Sequence, residues 1–199
     1  MKKNAFAFLF LSFIFISCGQ SIKLSDEDYN WMPYTGNETL VFKSNTGETD
    51  TIYFIRKDTV WGMPDPAVST NKYEIVGIFC RHSDGYTGSE KFRYLENYFL
   101  EIKKNMNKRA ELVFGLATKN AKFYRLSSVK IDSLSKVSPT SVTVSNNHYG
   151  DVYIIEAEDY LGSLSSRSDY VTKLYWSKSK GLIRYDKQDS SYWELGNEY

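Results

Sequence analysis

Leu174-Tyr175-Trp176-Ser177-Lys178-Ser179-Lys180-Gly181-Leu182-Ile183-Arg184-Tyr185, residues 174–185, places a polar turn between two runs of aromatic and branched side chains. Gly181 follows Lys178-Ser179-Lys180 and supplies a position for φ > 0 that other residues resist. Beyond it, Leu182 and Arg184 alternate with Ile183 and Tyr185, which is the two-residue period of a strand. A hairpin of residues 171–177 and 181–185 follows, and residues 191–195 add a third strand after a turn over 186–190.

The same pattern recurs upstream. Thr39-Leu40-Val41-Phe42-Lys43 and Thr51-Ile52-Tyr53-Phe54-Ile55 flank the Gly-containing loop Ser44-Asn45-Thr46-Gly47-Glu48, and are expected to pair antiparallel. Gly62-Met63-Pro64-Asp65-Pro66 breaks the chain, because proline cannot donate to a ladder. Residues 72–81 and 91–103 flank a second turn-rich loop, Ser83-Asp84-Gly85-Tyr86-Thr87-Gly88. The arm from Phe92 to Ile102 admits a helix, but its aromatics favour a pleated face, with Phe92, Tyr94, Tyr98, Leu100 and Ile102 on one side. Residues 110–117 and 122–129 suggest a hairpin about Thr118-Lys119-Asn120, and residues 127–138 have room for one helical turn before Pro139. Residues 141–144 and 151–155 flank the turn composition Asn146-Asn147-His148-Tyr149-Gly150, and a polar loop covers 157–169. Such spacing predicts a mainly β chain with one antiparallel domain over residues 37–199. Its expected form is barrel-like or a strongly curved sheet of about ten short strands. There is no β/α alternation to suggest a parallel sheet.

The amino end is of another kind. Met1-Lys2-Lys3-Asn4 is a short positive segment, and residues 5–17 are uncharged and rich in Phe, Leu and Ile. This is the composition of a secretory signal, short of the roughly 20 apolar residues needed to span a bilayer. It ends in Ile16-Ser17-Cys18-Gly19, which resembles a bacterial lipobox. There, cleavage after residue 17 leaves Cys18 to carry palmitate-type acyl chains. Phe15 and Ile16 depart from the usual Leu and small residue. The alternative is ordinary cleavage before Gln20 at a small-x-small site, with no lipid. Acylation would matter physically, since burial is worth about 0.8 kcal/mol per CH₂ and stable anchoring needs more than one chain. The expected organisation is a signal over 1–17, a lipidated tether over 18–36 and the β domain beyond. In the tether, Asp26-Glu27-Asp28 reads as solvated charge in preference to a sorting signal, and Trp31-Met32-Pro33-Tyr34 as the cluster that docks it.

Composition narrows the function classes. Residues beyond the signal suffice for one sizeable core. The formal net charge of +1 turns weakly negative once Lys2 and Lys3 are removed, so there is no basic surface for nucleic acid. Cys18 and Cys80 are the two cysteines. A lipid on Cys18 leaves Cys80 as a single thiol, read as a small core residue after Ile75-Val76-Gly77-Ile78-Phe79 rather than a nucleophile. If Cys18 is not lipidated, a Cys18–Cys80 disulfide is the rival.

The carboxy-terminal segments Tyr149-Gly150-Asp151-Val152-Tyr153, residues 172–185 and Tyr192-Trp193-Glu194-Leu195 resemble the ending of many small bacterial lipoproteins. In those proteins a Tyr-x-x-Val-Tyr segment precedes a Tyr-Tyr-Ser-Lys-x-x-Gly-Leu-Ile-Arg-Tyr hairpin and a last strand with Trp. Here Trp176 stands where Tyr is commoner, and Lys187-Gln188-Asp189 replaces a Gly-containing turn. The resemblance implies an exported, antiparallel β domain and no activity.

Candidate chemistry is sparse. Arg81-His82-Ser83-Asp84 sets Ser, His and Asp side by side, but triads depend on geometry and neighbours on one loop rarely converge. His82 and His148, with Asp84 and Asp151, would form a metal site only if their loops met in space. Glu156, Glu158 and Asp159 could serve acid–base work, though solvated loop charge is the simpler reading. There is no phosphate-binding Gly-rich loop or nucleophile elbow, and Asn37-Glu38-Thr39 is a sequon that a bacterial lipoprotein would ordinarily leave bare. The 16 Tyr and 12 Phe fit core packing, or an aromatic cleft for an apolar or carbohydrate ligand. The expectation is therefore a non-enzymatic envelope protein without cofactor or metal, held to a bacterial membrane, the outer one, through Cys18. Its partners would be the membrane and an envelope protein. A lipid, apolar or carbohydrate carrier is the alternative.

Overall fold

Two antiparallel meanders lie side by side, and the carboxy-terminal strand joins them. A computed structural model describes residues 19–63, 70–82, 97–118 and 120–198. The first meander is β2 (Thr39–Ser44), β3 (Thr49–Gly62), β4 (Lys72–His82), β5 (Asn97–Lys104) and β6 (Ala110–Phe114). The second is β9 (Thr140–Val144), β10 (Asn147–Glu156), β11 (Tyr170–Ser177), β12 (Gly181–Lys187) and β13 (Tyr192–Glu198). β13 pairs with β2, and β8 (Val129–Lys130) adds to β6, giving the order β8-β6-β5-β4-β3-β2-β13-β12-β11-β10-β9. The eleven strands make one strongly curled half-barrel, mainly β as expected.

Its two flanks are bridged at one end. Gly115 N donates to Phe99 O and prolongs the β5–β6 ladder, and Phe123 N donates to Leu116 O. The two-residue strand β7 (Lys122–Phe123) then pairs in parallel with the start of β11. The expected 110–117/122–129 hairpin is thus real only at its turn, where Ala117 bridges Lys122. After it, the chain leaves to close the sheet. The one-turn helix expected within 127–138 is α2 (Ile131–Leu134).

The concave side is filled with rings. Tyr34 packs 4.6 Å from Phe54 and 5.8 Å from Trp176, while Phe54 lies 4.9 Å from Phe99. Leu40, Phe42, Ile52, Ile78, Leu100, Leu112 and Tyr185 are buried with them. Burial of this kind, at about 25 cal/mol per Å² of apolar surface, drives the curl, because only a curved sheet brings both meanders onto one core.

Three details differ from expectation. The stretch up to Asn30, expected as a solvated tether, is folded. β1 (Ser21–Ile22) pairs in parallel with Lys72 and Tyr73. After it, α1 (Asp26–Tyr29) begins at a capping box in which Ser25 and Asp28 bond reciprocally. Lys104 Nζ, 2.6 Å from Asp28, fixes that box to β5, and Glu74 accepts from Leu24 N at 2.7 Å. The acidic cluster therefore builds a helix start, and Trp31, Met32 and Tyr34 behind it are core.

Second, β5 is a strand where described, but Tyr98 is exposed and Phe99 buried. A bulge pairs Ile78 with Leu100 and Phe79 with Tyr98, so the face changes at Phe99. Phe92 and Tyr94 lie outside the described residues. Third, the turn between β9 and β10 is Ser145-Asn146, both at positive φ (47° and 69°), a two-residue type I′ geometry. Asn147 and His148 belong to the strand.

Candidate functional site

Cys80 and His82 sit two residues apart on β4, so the pleat puts both on its inner face. Across the ladder, β3 brings Asp50 to the same row. Cys80 Sγ lies 3.8 Å from His82 Nε2, and His82 Nδ1 lies 3.5 Å from Asp50 Oδ2, at the edge of hydrogen-bond range. All three are buried. The arrangement has the order of a Cys–His–Asp triad, which differs from the His82-Ser83-Asp84 grouping suggested by adjacency. Ser83 and Asp84 lie outside the described residues. Signals for this row were present in Cys80-Arg81-His82 on one strand and Asp50-Thr51-Ile52 on the next.

Its chemistry is that of a core, because burial first and the Asp50 carboxylate second push the Cys80 thiol up to about 12. The nucleophilic form is the thiolate, which such a site suppresses at neutral pH. Cys80 is free. Its expected partner in the rival disulfide, Cys18, lies outside the described residues.

The remaining candidates are dispersed. His148 is exposed on β10 next to the Ser145-Asn146 turn, while His82 is buried on β4 opposite Ile52 of β3. Among the described residues, no group of three or more His, Cys, Asp or Glu could hold a metal ion. Asp151 is engaged elsewhere, accepting from Ser177 Oγ and Ser179 N, both at 2.7 Å. Burial opposes its charge, yet those bonds together hold its carboxyl below the usual range. Glu158 accepts from Ser127 N and pairs with Arg125 at 3.0 Å. Asp159 bonds Leu164 N and the hydroxyl and N–H of Ser165, which lower its carboxyl to about 2. These acids pin the 157–169 loop. Glu156 is exposed. So is Asn37 of the sequon.

A polar cleft of about 570 Å³ lies between Glu48, Arg167, Asp169, Lys187 and Asp189, whose opposite charges largely satisfy one another: Arg167 Nε reaches Asp169 at 2.9 Å, and Lys187 reaches Asp189 at 3.5 Å. A smaller groove of about 270 Å³ runs along the bridged end, lined by Tyr98, Phe114, Phe123, Tyr124 and Tyr160 with Arg125 beside them. Tyr98 and Tyr160 leave 44% and 47% of their surface in water. The bulge at Phe99 is what turns Tyr98 outward, so no periodic reading of β5 could have found it.

No helix among the described residues is long and apolar enough to cross a membrane. Comparison of the chain with known protein families, with curated proteins and with solved structures finds no match.

Proposed function

We propose that this chain is a lipid-anchored protein of a bacterial cell envelope, with the outer membrane as its site and a non-enzymatic structural or interaction role. The observation that carries the reading is the run Phe13-Ile14-Phe15-Ile16-Ser17-Cys18-Gly19, which ends on an acyl acceptor directly ahead of the folded chain. An interior filled by side chains and a buried, protonated thiol at Cys80 support a role in contact rather than turnover.

Mass spectrometry of the amino terminus after expression in a bacterial host, together with membrane fractionation, tests it. The expected product begins at Cys18 with diacylglyceryl and N-acyl mass and sediments with outer membranes. Cys18→Ser is expected to lose both properties. A product that begins at Gln20 without acyl mass overturns the anchor.

The aromatic groove favours a second reading, a binding module for a lipid, apolar or carbohydrate ligand. Exposed Tyr98 and Tyr160 offer ring faces and hydroxyls to such ligands, although the volume lies at the low end for small-molecule sites, roughly 300 Å³ and upward. Titration with a fluorescent fatty acid and with envelope-type oligosaccharides discriminates. Saturable binding weakened by Tyr98→Ser and Tyr160→Ser supports the module, and none at high ligand concentration removes it.

A further inference from the structure

Gly19 and Gln20 meet the end of the β3–β4 hairpin. Lys72 N donates to Gln20 O at 2.9 Å and Gln20 N donates to the Asn71 side chain at 2.8 Å. Gly19 packs against the Thr70 backbone so closely that a Cβ there would stand 2.0 Å from Thr70 O. The register runs Ile22 beside Tyr73 beside Gly62, so three strands end together at this tip. Ser21, already paired, is three residues beyond Cys18, a reach of about 10 Å at full extension. An acyl chain on Cys18 would thus hold the tip against a bilayer with no tether between.

The side chains at that tip suit a bilayer interface. Val60, Trp61 and Met63 expose 55%, 42% and 45% of their surface. Val60 and Trp61 alternate onto opposite faces of β3, so apolar surface is presented on both sides of the arm. At about 3.3 Å per residue, Val60 lies about 10 Å behind Met63, a span comparable with the depth at which interfacial segments sit. Trp is favoured at the headgroup level because its ring is apolar and its N–H polar. Lys23 and Lys72, both exposed at the same end, can face anionic headgroups. Asp26 and Glu27 follow β1 inward along β4 and so stand farther back.

We propose that the tip formed by Val60, Trp61, Met63, Lys72 and residues 19–22 is a membrane-docking surface that inserts into the headgroup layer beside the anchor and fixes the orientation of the domain. This deepens the anchoring reading and rests on it. Orientation follows from the geometry: the bridged end with its aromatic groove is carried by other strand ends, and the arm faces lipid.

The test couples a chain of residues 18–199 through Cys18 to a maleimide phospholipid in phosphatidylethanolamine–phosphatidylglycerol vesicles with brominated acyl chains. Cys80 is buried and its thiol suppressed, so coupling is selective. Trp31, Trp176 and Trp193 are buried, so Trp61 is the indole that can report lipid contact. Expected are quenching by brominated over ordinary lipid, a blue-shifted emission and reduced acrylamide access on coupling, all lost in Trp61→Phe. Equal brominated-lipid quenching in wild type and Trp61→Phe, or unchanged acrylamide access, overturns the docking surface. The coupling is chemical, so this outcome is independent of whether the native amino terminus carries acyl mass, which decides the anchor itself.

Discussion

The β11–β12 hairpin and the β3–β4 arm are both antiparallel pairs rich in aromatic and branched residues, yet one is held from every side and the other from one. At the first, β10 and β13 flank the pair, Asp151 bonds Ser177 and Ser179, and Leu182 N donates to Tyr34 Oη at 2.7 Å. Lys178 Nζ lies 4.9 Å from the Trp31 ring, closing the turn from below. At the second, β3 beyond Phe54 pairs with β4 on one edge, and among the described residues no strand pairs with the other. Strand pairing and β propensity are similar in the two; what differs is how many neighbours each side chain meets. Stability should therefore concentrate at the hairpin, while the arm keeps apolar side chains that the fold does not need.

Substitutions of ordinary size separate the two. Gly181 has φ 84°, and a Cβ there would stand 2.1 Å from Tyr34 Oη. Gly181→Ala combines left-handed strain with overpacking, and is expected to lose about 3 kcal/mol, read as a lowered urea midpoint at unchanged slope. A loss within experimental error would mean that the turn is not locked by Tyr34. Tyr34→Phe removes the acceptor for the buried Leu182 N–H and keeps the ring contacts, so about 1–3 kcal/mol is expected in the same titration. The pair should be non-additive, since each acts through the same contact.

The hairpin was legible because its signals were local. Turn composition followed by Gly181, and period-two alternation on both sides, needed no knowledge of the rest of the chain. The curled antiparallel class was legible for the same reason. What was hidden depended on partners far along the chain. Ile22 and Leu24 gain their places from Tyr73 and Glu74 across the sheet, so residues 21–30 read as solvated when taken alone. The bulge at Phe99 shifts a strict alternation by one residue, which buries Phe99 and exposes Tyr98. Ser145-Asn146 adopts positive φ without glycine, whereas composition points to a turn over Asn146 to Gly150, most of which is paired strand. The Cys80–His82–Asp50 row was half visible, as a same-face spacing on β4, but its acid comes from β3. Cys18 lies outside the described residues, and the reading of it rests on sequence.

Asp151 gives the next smaller effect and a pH signature. Its burial disfavours the charge, but hydrogen bonds from Ser177 and Ser179 prevail and hold its folded pKa below the ordinary aspartate range. A carboxyl lowered on folding stabilises the native state above its unfolded pKa, and that contribution is lost as pH falls through the folded value. Asp151→Asn should cost about 1 kcal/mol at pH 7. The gap between wild type and variant should then shrink below about pH 4, measured as urea midpoints across pH. A gap that does not narrow on acidification would assign the loss to shape rather than charge.

Trp61 marks the other end of the scale. Its exposed ring sits opposite Glu74, whose carboxylate is already occupied by Leu24 N and by the Tyr29 hydroxyl at 3.1 Å, so removing the indole leaves no buried polar group stranded. Trp61→Ser is accordingly expected to shift unfolding by no more than about 0.5 kcal/mol, the range of surface changes, despite deleting one of the largest side chains in the molecule. The same substitution should reduce retention of the Cys18-coupled chain's tip in the headgroup layer, read as greater access of a water-soluble probe to Met63. A destabilisation as large as that of Tyr34→Phe would show instead that the arm packs as core. The contrast between a tied hairpin and a spare apolar arm would then fail, and with it the reason to look for lipid at that surface.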